Sequence, residues 1–246
     1  MIDKKIIIAL VKKELRSWLY SPLFYGTGIF FVLFLSINFY HITAFFAMDH
    51  ASLRPFFTTF PLLYAFIIPV ITMKSWTEEK KQNTAELLFT LPISEWELSI
   101  GKFTSSLIIL LIFIALSLPL PLSLLPLGRF DTGVMFTEYI GVILLGASAL
   151  SLGIFLSNLS RNQAAAFLSC VTVLFVFMFI HVLNDRFYFI SSFPFLYHFF
   201  NYMSLSFHFD SFSRGLIDSR DLAFFVITIF LFLFLNVKLL LFRVYK

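Results

Sequence analysis

Seven stretches of this chain contain no Asp, Glu, Lys or Arg: 17–48, 55–73, 103–128, 139–160, 162–184, 187–209 and 222–237. A helix crossing the hydrocarbon core needs about 20 apolar residues. A charge at mid-bilayer costs on the order of 2.5–3.5 kcal/mol on insertion scales. Long charge-free stretches therefore predict membrane spans, and six of the seven qualify. The last is short before Lys238, but Leu239, Leu240, Leu241 and Phe242 continue it, and Lys238 can snorkel to the interface. The 187–209 stretch holds Pro194, Asn201, four serines, His198 and His208. It reads as a re-entrant or interfacial segment. The expected fold is an all-α polytopic membrane protein in a single domain, 1–246. It has six transmembrane helices, an N-terminal interfacial helix (1–20), a cytoplasmic elbow (74–102) and an outer segment (187–220) before the last span.

Residues 4–20 have helical amphipathicity. Lys5, Lys12, Lys13 and Arg16 gather on one side, and Ile7, Val11, Leu15 and Trp18 on the other; such a helix lies in a membrane surface or simply anchors the topology. Ser21 followed by Pro22 predicts a cap and the start of the first span. In the fourth span, Gly146, Ala149 and Gly153 offer small residues for close helix approach, as Ala165 and Ser169 do in the fifth. Pro119, Pro121 and Pro126 end or kink the third span.

The elbow 74–102 is a polar island holding nine of the 32 charged residues. Asn83, with Glu86 three residues on, predicts a helix cap, and Leu91-Pro92 ends that short helix. Ser94-Glu95-Trp96-Glu97 is a capping box, with Ile93 and Leu98 as its hydrophobic staple. The island thus reads as a folded helical elbow. Its Leu87, Leu88 and Phe89 suit docking into a partner's groove, or packing against the bilayer or the chain's own bundle.

Composition agrees with the span pattern. The chain is 59% hydrophobic and 13% charged, against about 25% charged in soluble domains. Its 36 Phe exceed packing needs and read as lipid-facing. With six spans and both ends inside, inner segments hold 13 Lys and Arg and outer segments five; that is the positive-inside bias. Both termini are therefore expected in the cytoplasm. No cleavable signal peptide is evident.

Catalytic chemistry is not expected. Cys170 is the single cysteine, so no intrachain disulfide or cysteine-based metal cluster is expected. The five histidines lack i, i+4 metal spacing. Gly101-Lys102 is not a phosphate loop, because Trp96 stands where that motif wants Gly and Phe103 where it wants Ser or Thr. Glu78 and Glu79 beside Lys80 and Lys81 read as a solvated mixed-charge helix. No acid or base is expected at a span centre, which argues against a proton-coupled transporter.

Four stretches carry a resemblance. They are Lys13-Glu14-Leu15 through Ser21-Pro22-Leu23-Phe24-Tyr25; Glu78-Glu79 followed by Thr84-Ala85-Glu86-Leu87-Leu88-Phe89-Thr90-Leu91-Pro92-Ile93-Ser94; Gly101-Lys102; and residues 208–221. On these the chain resembles the permease subunits of ABC-2 type transporters, in the branch with gliding-motility-associated and nitrous-oxide-reductase maturation permeases. One departure is Asn83, where family members often have Gly; Asn tolerates αL geometry and caps helices. The resemblance implies six spans and a dimer with an identical or related permease. It also implies two cytoplasmic ATPase subunits that hold the ATP and Mg, with no cofactor in this chain and no nucleic-acid partner. Glu78, Glu79, Thr84, Glu86, Leu87, Leu88, Phe89 and Pro92 would couple to the ATPase, and 204–221 would sit at the outer mouth. Export is the leading reading. The alternatives are an ATPase-driven mechanical or regulatory subunit of an envelope machine, and a passive scaffold. The scarcity of polar residues along the spans hints at a lipid-like cargo.

Overall fold

The computed structural model describes residues 3–42, 53–82, 93–124, 126, 130–186 and 194–244. Among them the chain is helical, with no strand. In order run α1 (Lys4–Leu19), α2 (Pro22–Ile37, continued by a π turn, Asn38–Ile42), α3 (Arg54–Phe57), α4 (Phe60–Thr72) and α5 (Lys74–Lys81). Next are α6 (Glu95–Ser117), α7 (Pro119–Leu122), α8 (Thr132–Leu159) and α9 (Gln163–Arg186). The last three are α10 (Pro194–Met203), α11 (Leu205–Ser213) and α12 (Ser219–Val244).

Six stretches are long and apolar enough to cross a membrane: Pro22–His41, Arg54–Lys81, Glu95–Leu122, Thr132–Leu159, Gln163–Val182 and Ser219–Phe242. The chain is an all-α polytopic membrane protein. Helices α10 and α11 are about 15 and 14 Å long at 1.5 Å per residue, too short to span. They fold back onto α8, α9 and α12.

Local chemistry explains the helix starts. Asp3 caps α1 through the Lys5 N–H (2.9 Å), and Asp131 caps α8 through the Gly133 and Val134 N–H groups (2.9 and 3.2 Å). Ser21 stands at the N-cap of α2, with Pro22 first in the helix, but its hydroxyl makes no cap bond. The Phe24 N–H goes to the Ser21 carbonyl instead (3.1 Å).

Helix α8 is the axis of the bundle, packed against α4, α5, α6, α9, α11 and α12. Its small residues allow this. A Cβ on Gly153 would stand 2.5 Å from Thr72 Oγ1, and one on Gly146 would stand 3.0 Å from Tyr64 Cε2. Ala149 is fully buried. In α9 the inward small residue is Ala166, while Ala165 faces out. The phenylalanines divide between two roles. Phe31, Phe56, Phe57, Phe60 and Phe113 form the fully buried core, with Phe57 edge-on to Tyr139 at 4.9 Å. Others, such as Phe175 and Phe230, face outward.

Four of the serines buried along the spans do not create a polar lining. Ser105, Ser117, Ser148 and Ser151 each donate to a carbonyl three residues back in their own helix.

Candidate functional site

The second span does not stop where its charge-free stretch stops. Met73 keeps helical geometry between α4 and α5, so one rod runs on to Lys81. The 28-residue stretch Arg54–Lys81 is about 42 Å long, against a hydrocarbon core of about 30 Å. The polar end, α5, therefore projects past the apolar layer, beside the start of α6 and the flank of α1.

These three elements meet at Lys102. Its Nζ lies 3.1 Å from Glu14 Oε1 and 3.0 Å from Glu79 Oε1. It also donates to the Ser75 carbonyl and sits 4.7 Å from the Trp76 ring centroid. Lys13 approaches Glu79 from outside, at 3.7 Å. The Lys102 side chain is only 5% exposed. A buried ammonium needs compensating charge and hydrogen bonds, and α1, α5 and α6 each supply part of them. The cluster therefore ties three elements at once.

Three further contacts anchor the same region. Ser94 and Glu97 form a complete capping box: the Glu97 N–H donates to Ser94 Oγ (3.3 Å), and the Ser94 N–H donates to Glu97 Oε2 (2.8 Å). The other oxygen, Glu97 Oε1, accepts from the Asp3 N–H at 2.6 Å, which fixes the start of α1 to the start of α6. Gly101 lets the two helices close, since its Cβ position is 3.2 Å from Leu10 Cβ.

The far side of α5 grips the end of α8. Lys80 Nζ donates to the carbonyls of Asn158 and Ser160, the latter at 2.9 Å. A cation at a helix C-terminus is favoured by the exposed carbonyls and the dipole. The Trp76 N–H donates to Ser157 Oγ (3.2 Å), which donates to the Met73 carbonyl (3.3 Å). Beneath lies an apolar plug of Trp76, Leu98, Ile154 and Leu240. A buried polar chain crosses it: Asn158 donates to Asn236 Oδ1, and Asn236 donates to Ser99 Oγ, both at 2.9 Å.

Of the residues expected to couple to an ATPase, Glu79 is buried in the Lys102 cluster, and Glu78 lines a cleft with Glu14, Trp18 and Lys74. This differs from the solvated mixed-charge helix that the residue pattern suggested. Glu79 instead turns toward Lys102 of α6 and is buried there. Asn83, Thr84, Glu86, Leu87, Leu88, Phe89 and Pro92 lie outside the described residues. Gly146, Ala149 and Gly153 pack against other helices of this same chain. The sequence reading missed Glu14 as the second carboxylate and the Asn158–Asn236 pair. The available signal for the pair was two lone amides in otherwise apolar helices.

At the opposite end, Asp210 joins α11 to α3. Arg54 lies 2.9 Å from one of its oxygens, and Arg214 pairs with the other. Burial pushes the Asp210 carboxyl up, but hydrogen bonds and charge from Arg214 and Arg54 outweigh it, holding the group below the ordinary aspartate value. His208 is buried, 2.6 Å from Asp221, and stacks on Phe224 at 3.8 Å. These two contacts seat α11 on α12, while the other ring nitrogen donates to the Tyr202 carbonyl at the end of α10 (3.1 Å).

A family model described as ABC-2 family transporter protein matches residues 8–242. No curated protein matches the chain.

Proposed function

This chain belongs to the ABC-2 transporter family, and from that premise we propose that it is the permease subunit of an ATP-driven exporter. Separate cytoplasmic ATPase subunits would bind ATP and Mg and dock on 83–92 through Leu87, Leu88 and Phe89. The permease would work in the bacterial inner membrane as a dimer with an identical or related copy, both termini cytoplasmic. The motifs at 78–94 and 208–221 favour the branch with the gliding-motility-associated and nitrous-oxide-reductase maturation permeases.

The observation that carries this reading is the Lys102 cluster. It joins both arms of the elbow, α5 and α6, to α1, while Lys80 and Ser157 join α5 to the axial helix α8. Breaking a buried charge pair costs about 3–5 kcal/mol, so the arms move as one body. Helix α5 is continuous with α4. A displacement applied at 83–92 is therefore delivered along the second span and to the end of α8 and is not absorbed in a loop.

The test is purification from native membranes in mild detergent, with mass spectrometry and an ATPase assay. A soluble nucleotide-binding subunit should accompany the chain. Polar replacement of Leu87, Leu88 and Phe89 should release that subunit and leave membrane insertion unchanged. Absence of any ATPase across several detergents would overturn the reading.

A further inference from the structure

At the end remote from α5, a cavity of about 360 Å³ opens between α3, the start of α8 and the end of α11. Glu138 lines it, together with Asp131, Arg54 and Arg214. Glu138 lies six residues past Thr132, about 9 Å along α8, and is 1% exposed. Its Oε1 has no hydrogen-bond partner among the described residues. The charge-free stretches placed this acid just outside a span, because they begin at Tyr139. The helix instead begins seven residues earlier, at Thr132, and carries the acid inside.

The other polar groups are committed differently. Asp131 Oδ1 already accepts two N–H groups as the cap of α8. Arg54 and Arg214 share Asp210, and both line the cavity with side chains 48% and 60% exposed. A guanidinium offers five donors, more than Asp210 takes from Arg214. Phe130, Val134 and Met135 give the cavity an apolar flank.

Close helix packing shapes this end of the bundle. Gly141, one turn beyond Glu138, faces α11: a Cβ there would stand 2.6 Å from Phe212 Cβ. Gly215 has φ +78°, which favours glycine, and its Cβ position is 2.8 Å from Val134 Cγ2. These two close approaches bring the end of α11 against the start of α8, where Arg214 and Glu138 line one cavity.

A buried carboxyl oxygen without a partner is costly unless a donor reaches it. Guanidiniums at a mouth recruit an anion, and phosphate suits them because its oxygens accept paired N–H bonds. We propose that this cavity binds an amine-bearing zwitterionic headgroup, its primary ammonium on Glu138 and its phosphate on Arg214 and Arg54. A membrane supplies this chemistry as phosphatidylethanolamine; in solution the same headgroup is glycerophosphoethanolamine. The site does not depend on ATPase coupling at the other end.

The test uses the purified full chain in detergent, with native mass spectrometry of bound phosphatidylethanolamine, phosphatidylcholine and phosphatidylglycerol. Phosphatidylcholine lacks the N–H donors, and phosphatidylglycerol lacks the cation. Phosphatidylethanolamine should bind about tenfold more tightly than either, the effect of one charge-assisted hydrogen bond. Glu138→Gln should abolish the preference. Arg214→Gln, a change at an exposed position, should weaken binding of all three lipids. Equal binding of the three by the unaltered protein would overturn the site, as would a preference that survives Glu138→Gln. Soluble glycerophosphoethanolamine added as competitor separates the sources. Displacement of the lipid at equal concentration supports the site as a receptor for the free headgroup, and resistance supports it as a lipid site.

Discussion

Lys102 shows how one side chain changes meaning with its surroundings. In the sequence it is a lysine before an apolar stretch, the ordinary mark of an inner membrane boundary. In the fold it is 5% exposed and shared by Glu14 and Glu79. Lys102→Met should cost about 3–5 kcal/mol, because two carboxylates are left buried against each other. Neutralising both carboxylates in the same chain, with Glu14→Gln and Glu79→Gln, should recover most of that loss. Thermal unfolding in detergent reads both changes. A Lys102→Met protein that melts like the parent would show that the cluster is not what holds the three elements. The lysine was legible as a boundary marker. Its partners were not, because Glu14 lies 88 positions away.

At the scale of elements, the start of α6 followed a local rule. The capping box at Ser94 and Glu97 is a four-residue pattern, and its geometry is satisfied within those residues and by Asp3. Close helix approach is different, since a glycine shows its role only when the neighbour is known. Gly153 meets Thr72 at 2.5 Å, whereas Gly26 has nothing within 4 Å of its Cβ position. Gly153→Ala should therefore destabilise by about 1–3 kcal/mol through overpacking, because a β-branched neighbour cannot give way. Gly26→Ala should gain about 0.5–1 kcal/mol from helix entropy. Opposite shifts in melting temperature are expected from two identical substitutions, and shifts of the same sign would contradict the packing described. Gly141 was not singled out in the sequence for the same reason: its partner, Phe212, comes from α11.

For the whole molecule, the orientation proposed from the Lys and Arg bias is open to direct measurement. Cys170 is buried and should stay silent to membrane-impermeant thiol reagents. Lys81→Cys and Arg220→Cys each place a thiol at an exposed position at opposite ends of the bundle. In intact cells stripped of any outer barrier, the probe at 220 should label directly. The probe at 81 should label only after the membrane is opened. The reverse pattern would invert the topology and move the ATPase-facing end to the other side.

The sequence by itself determined the helical class, the six spans and the separation of a polar end from the 194–221 region. Each follows from local quantities: the length of an apolar stretch against bilayer thickness, and the cost of a charge within it. Tertiary structure alone decided which charges lie inside and what they meet. Glu79 turned inward, Glu138 entered a helix that begins before its apolar stretch, and Asn236 found Ser99 across 137 positions. Such pairings depend on how whole helices pack. A buried polar group is tolerated only where a distant element brings it a partner, so no short stretch of sequence contains the information.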